Sequence, residues 1–328
     1  MKWVGLAVGL FVAPVALADA GYVDFDLGLI SPQMLGQMPL EKVEKYNTEE
    51  LGYSLLYSNG LFSCTVAVYD LGREDIPDGP SSDGIKNIFQ ALEIKLEKLE
   101  DDEAISDFQK RGGTTVPKKS PLKFANTVFQ YSEPRAVRGA VKSIPVYESV
   151  YVTGKKNKFI EARFKFDSAG RSDARGMADE LVKQLVLMLI AENSAEDLLL
   201  AACDALIHNP GSYAGQAAAQ RVFEETLNHE NLNIYDAFFV WPQDYSKPEN
   251  ADLLTAAYFA GMLQVVIPKR LESGGEVEAF VAMMQAYENM RARDQIQSIT
   301  QLDEWSKAPD KKILYQNLLV ELGYIQGN

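Results

Sequence analysis

Apolar and polar positions alternate with two different periods along this chain, and the change of period divides it. From Leu51 to Asp167 the dominant period is two, the signature of strands with distinct faces. Leu51–Tyr57 reads as a strand that meets Asn59-Gly60, a dipeptide that favours a tight hairpin with positive φ at both turn residues. Leu61–Tyr69 follows, with Phe62, Cys64, Val66 and Val68 on one face. After a turn-rich acidic stretch, Ser82 or Asp83 caps a helix whose stripe is Ile85, Ile88, Phe89, Leu92, Leu96 and Leu99. The acidic run Glu100–Glu103 is unfavourable at a helix C-terminus and predicts an earlier stop. Three further strands are expected at Phe124–Tyr131, Ile144–Thr153 and Lys158–Asp167, with 111–121 as a loop. In the last strand Ile160, Ala162, Phe164 and Phe166 are expected inside, and Glu161, Arg163 and Lys165 in water. Ser172 then caps a helix to about Ile190. Residues 21–50 read as irregular, with a short helical piece near Glu41–Tyr46.

From Ser194 the period is helical throughout. Ser194-x-x-Asp197, Ser246-x-x-Glu249 and Thr300-x-x-Asp303 have the capping-box form. Apolar stripes follow at Leu198–Leu206, at Leu254, Ala257, Tyr258 and Gly261, and at Val277, Phe280, Val281 and Met284. A last helix, Asp310–Leu322, ends on Gly323. Runs of strands broken by single helices predict an α+β class: an antiparallel sheet with flanking helices over 21–192, then an all-α helical domain over 193–328.

The first twenty residues change the picture of where the chain works. Lys2, the uncharged apolar run Val4–Val15, and small residues at 16, 18 and 20 have the layout of a cleavable signal peptide. Removal is expected after Ala18 or after Ala20, giving a periplasmic or secreted protein with no stable membrane span. The most apolar later run, Leu185–Ala191, reads as a buried helix end.

A net charge of −14 argues against a nucleic-acid partner, which would need clustered Lys and Arg. In an oxidising compartment Cys64 and Cys203 could bridge, although both fall on apolar faces of different domains, where free Cys packs as a small hydrophobe. No metal or cofactor site is predicted. The acidic loop Asp70–Pro80 lacks the ligand spacing of a calcium loop, His229-Glu230 is not followed by the second histidine of a zinc protease, and no Gly-x-Ser-x-Gly or phosphate loop is present. Paired carboxylates remain open among 46 acids. The aromatic segment with Phe238, Phe239, Trp241 and Tyr245 is expected to pack between the domains or to line an apolar ligand site.

Leu51-Gly52-Tyr53-Ser54, Tyr69-Asp70-Leu71-Gly72 with Ile76–Gly79, Val150–Gly154 with Lys158–Ile160, and Leu253–Gly261 resemble segments of a class of uncharacterised exported bacterial proteins. The strand–helix order of the first domain loosely resembles the PsbP-like sandwich. That resemblance implies a binding module and assigns no catalytic residue. Together these readings predict an envelope protein that binds another protein, with a small-ligand carrier or a carboxylate hydrolase as alternatives.

Overall fold

The computed structural model describes residues 20–137, 139–167, 169–170, 172–228, 232, 236–239 and 248–325. Its centre is an eight-stranded antiparallel sheet. The strands are β3 (Met34–Leu35), β4 (Met38–Lys45), β5 (Tyr53–Ser58), β6 (Phe62–Tyr69), β7 (Ser106–Val116), β8 (Phe124–Val137), β9 (Ala140–Lys155) and β10 (Lys158–Asp167). Their spatial order is β3-β4-β5-β6-β10-β9-β8-β7. The last strand in sequence therefore lies in the middle, closing β6 against β9 with Tyr69 opposite Phe159 and Phe62 opposite Phe166.

Each face carries one helix. Helix α2 (Ala174–Ile190) covers one face, burying Leu181, Leu185 and Leu189 with Cys64, Val66, Ile160, Ala162 and Phe164. Helix α1 (Asp83–Asp101) covers part of the other, where Ile85, Ile88, Leu92 and Leu96 join Phe129, Val146, Val150, Val152 and Phe159. Ser82 is the N-cap of α1, its Oγ accepting from the Ile85 amide at 3.3 Å. The α+β class is thus the one the periodicity predicts.

Several local expectations are corrected. The segment around Glu41–Tyr46 is not helical but belongs to β4, because pairing with β5 overrides its local propensity. The expected loop 111–121 starts inside β7, an edge strand whose residues are almost all exposed and therefore carry no apolar alternation. Helix α1 runs through Asp101 into its acidic end, where Lys98 sits in the last turn. At Asn59-Gly60 only Gly60 takes positive φ, +84°. The turn is wider than a two-residue one: Asn59 Oδ1 accepts from the amides of Leu61 and Phe62, and the Asn59 amide donates to the Phe62 carbonyl.

The remaining helices are α3 (Ala195–His208), α4 (Tyr213–Thr226), α5 (Pro248–Lys269), α6 (Glu276–Ala292), α7 (Thr300–Ser306) and α8 (Lys311–Glu321). They enclose one core in which Cys203, Leu254, Tyr258, Phe280, Met284 and Tyr287 are buried. The capping box at Ser194 forms in full, with reciprocal Ser194–Asp197 bonds. At Thr300 it does not: Asp303 is taken instead by Tyr287 Oη at 2.6 Å and by Ser298. Ser246 lies outside the described residues.

Within α5, Asn250–Lys269 is long and apolar enough to cross a membrane by length and composition, whereas the sequence points to Leu185–Ala191 as the most apolar run after the first twenty residues. Two-thirds of its most apolar window is buried inside this core, so its apolarity is used in packing. Gly261 permits the closest contact: a Cβ there would lie 2.5 Å from the Glu278 carbonyl oxygen and 2.7 Å from Ala282 Cβ, on α6.

A two-stranded hairpin, β1 (Ala20–Asp24) and β2 (Leu29–Pro32), joins the sheet layer to the helices. Tyr22, Leu27 and Leu29 enter the α2-side core. The Ala20 amide donates to Asp204 Oδ2 on α3 at 3.2 Å, and Asn193 Nδ2 donates to the Gly28 carbonyl at 2.9 Å.

Candidate functional site

The two faces of the sheet are covered unequally. On the α1 side the strands alternate so that Thr65, Ala67 and Tyr69 of β6 and Glu161 and Arg163 of β10 point away from α2, yet α1 does not extend over all of them. Thr65, Ala67 and Tyr69 are consequently only half-buried. The result is a groove with two adjoining clefts that share Tyr69, Leu71, Glu161 and Arg163. One cleft, of about 420 Å³, is bounded by Tyr46 and Leu51. The other, of about 430 Å³, runs beneath α1 along Ile88, Ala91 and Leu92. A third hollow of about 200 Å³ continues it past Arg163 to Tyr131, Glu133 and Glu148.

The floor is charged but internally satisfied. Glu161 is 4% exposed, and it accepts hydrogen bonds from Tyr69 Oη and Arg163 Nε. Burial and then the Glu161 carboxylate push the Tyr69 phenol far above its ordinary value, so it acts as a donor. For Arg163, burial works against the charge, but Glu161 and Glu148 outweigh it and hold the guanidinium protonated. Tyr131 Oη donates to Glu148 Oε2 at 2.9 Å, and burial followed by that carboxylate raises its phenol well above the usual range. Further along, Glu133 is shared by Lys165 and by Arg135, whose other nitrogen reaches Asp167 at 2.9 Å.

Such a floor, with apolar walls, can recognise a surface through shape and a few fixed charges. Here each floor carboxylate already holds donors from its neighbours.

Glu133 also makes the region sensitive to acid. Its partial burial favours the neutral form, but Lys165 and Arg135 overcome this and hold its carboxyl below the ordinary value. A carboxyl depressed in the folded state adds stability above its unfolded pKa, about 4.3, and that stability is lost as pH falls through the folded value. The Glu133→Gln protein is therefore expected to lose less of its melting temperature than the parent between pH 5 and 3. Parallel melting curves over that range, with equal losses for the two proteins, would contradict this role.

The sequence reading placed Glu161, Arg163 and Lys165 in water, and Glu161 corrects it. The alternation was visible, but not that β10 would be a central strand with α1 on its outer side. The signal available was a Glu-x-Arg pair on a strand whose start lies opposite Tyr69.

The other singled-out residues lie elsewhere. Cys64 and Cys203 are free and fully buried, one in the α2-side core and the other in the helical core, so the possible bridge is not formed. Burial pushes both thiols up, which disfavours the nucleophilic thiolate. Phe238 does not sit between the domains: it is fully buried inside the helical core against Phe280, Tyr315 and Trp305, with ring centroids 5.0, 5.2 and 6.1 Å away. Phe239 packs edge-on against Tyr258 in the same core. Trp241, Tyr245 and His229 lie outside the described residues. His208 ends α3 with Nδ1 near the Asp204 carbonyl oxygen at 2.9 Å and Nε2 near Gln285 at 3.1 Å.

No group of three or more potential metal ligands occurs among the described residues, and the acidic loop is held by Lys158 on Asp70 and Lys155 on Asp78. Another cleft, of about 760 Å³, opens between α3, α4 and the end of α5 near Phe25. Its Arg221 is half-exposed and paired with Glu224 at 2.9 Å, so that hollow has a wet rim where the groove has a buried charge. No protein-family model matches the chain, and a search of curated proteins finds no match to it.

Proposed function

We propose that this chain is an exported, non-catalytic binding module of the cell envelope, and that it docks a protein partner in the groove beside α1. The observation that carries the reading is the uncovered strip Thr65–Ala67–Tyr69 next to the buried Glu161–Arg163 pair. A floor that sets Thr65 and Ala67 beside the Glu161–Arg163 pair, walled by Ile88 and Leu92 on one side and Leu51 on the other, suits an inserted segment of apolar side chains with a polar group for the guanidinium. The fixed guanidinium at its centre supplies register. The leader-like first residues support export, and an antiparallel sheet with one helix on each face is in keeping with the sandwich that the strand–helix order resembles. That likeness is one of fold and not of site.

The test is capture from mildly crosslinked envelope by the tagged mature chain, read by mass spectrometry beside the Ala67→Arg variant. Ala67 points onto the open floor, so arginine there fills the groove without entering a core. The parent is expected to retain a stoichiometric protein partner, and the variant to lose it about tenfold or more at an unchanged melting temperature, as for a steric block at the centre of an interface. Equal capture by both chains would move the interface elsewhere. Absence of any partner, with a small molecule retained instead, would favour the carrier reading.

A further inference from the structure

The acids and the bases that line the groove beside α1 are not equally engaged. Arg163 lines all three of its hollows. Only its Nε is bonded, to Glu161; its two terminal nitrogens have no hydrogen-bond partner among the described residues. Lys95 of α1 lines two of the same hollows beside Arg163. Arg73 stands at the other end of the cleft, its Nη1 2.9 Å from where a Cβ on Gly84 would lie. Arg73 and Lys95 are exposed, and neither side chain has an ion pair or hydrogen bond among the described residues. Asp83, which feels the charge of Arg73, is already paired with Lys86 at 2.8 Å.

The acids, by contrast, are answered from within: Glu161 by Tyr69 and Arg163, Glu148 by Tyr131, and Glu133 by Lys165 and Arg135. What the groove leaves unanswered is therefore positive, although the chain carries a net charge of −14. Screening acts over about 8 Å at physiological salt, so a group entering the groove meets these cations more strongly than the distant acids. Between the two cationic ends lie Ile88, Ala91 and Leu92, whose side chains offer no hydrogen bond. A carboxylate is the group that answers a guanidinium through paired, charge-assisted bonds.

We infer that the partner segment docked in this groove is acidic as well as apolar, bringing one carboxylate to Arg73 and another to Arg163 and Lys95. This rests on the groove reading above and specifies its occupant. From Gly84 to Lys95 the helix rises about 16 Å, at about 1.5 Å per residue. An extended segment covers that span in about five residues, with apolar side chains between its two acids resting on Ile88 and Leu92.

The test is capture from the envelope by the tagged mature chain with a zero-length carbodiimide, which joins an amine to a carboxylate only where the two touch. An amide between Lys95 and an Asp or Glu in an apolar segment of another protein is expected in the crosslinked peptides. Capture by the Arg73→Gln/Lys95→Gln protein is expected to fall about fivefold at an unchanged melting temperature, and to lose most of its salt dependence. Capture that Ala67→Arg abolishes but the double variant leaves unchanged, with no crosslink at Lys95, would overturn the acidic occupant and leave the groove standing. Capture indifferent to Ala67→Arg would overturn both. Lys95 joined to this chain's own sequence, in a product of twice the mass, would overturn the separate partner in favour of a second copy.

Discussion

The Gly261→Val protein is expected to lose more than about 3 kcal/mol of stability, and to populate a helical but loosely packed state. At Gly261, α5 crosses α6 so closely that the first added carbon would lie 2.5 Å from the Glu278 carbonyl oxygen and 2.8 Å from Ala279 Cα. These contacts are backbone, which cannot rotate aside. The helices must therefore separate, and Ala257, Tyr258, Ala282 and Met283 lose packing along the crossing. Alanine should cost less than valine, although it gains helix propensity over glycine. Denaturant melts of the two variants, followed by near-ultraviolet circular dichroism, read this directly. A valine protein as stable as the parent would mean that the helices do not cross this tightly.

The Phe238→Ala protein is expected to be destabilised by about 3–5 kcal/mol, the range for removing a fully buried phenylalanine. Phe238 is enclosed by Phe280, Trp305 and Tyr315, so its ring links the 236–238 turn to α6, α7 and α8. Truncation leaves a cavity among the three remaining rings, with Phe280 5.5 Å from Trp305 and 5.6 Å from Tyr315 between centroids. The consequence separates two roles for the residue. A core ring lowers the unfolding midpoint of the purified protein, whereas a ring serving a ligand site changes affinity with little change in that midpoint. Tryptophan fluorescence through the melt is a suitable readout, because Trp305 adjoins the cavity.

How much of this was legible from the chain depended on burial. The stripes of α1, α3 and α6 and the alternation in β6 and β10 are periodic because each has one face against a core, and they could be read residue by residue. β7, almost wholly exposed, and β4, half exposed, were missed because hydrogen bonding to a neighbour holds them with little apolar pattern, and the more buried β1 and β2 because four or five residues are too few to show a period. The aromatic cluster at Phe238 was recognised as buried, but the side it faces depends on how α6, α7 and α8 assemble around it. The groove was less visible still. It exists because α1 is laterally displaced from the β6–β10 seam, and no local pattern in α1 or β10 encodes that offset. Glu161 looked like the polar member of an alternating strand, and only the donors Tyr69 and Arg163 reveal it as a buried charge.

The central position of β10 also governs the order in which the molecule can be assembled. β5 and β6 can pair as soon as both exist, but β6 then waits with an unsatisfied edge until Lys158–Asp167 arrives. Loop closure of that span carries an entropic cost before any contact offsets it, which makes the seam a slow, non-local step. A chain threaded from its N-terminus through a narrow passage therefore cannot complete its sheet before most of the first domain has crossed. Under the proposed export, the sheet can close only after Lys158–Asp167 has been delivered to the far side.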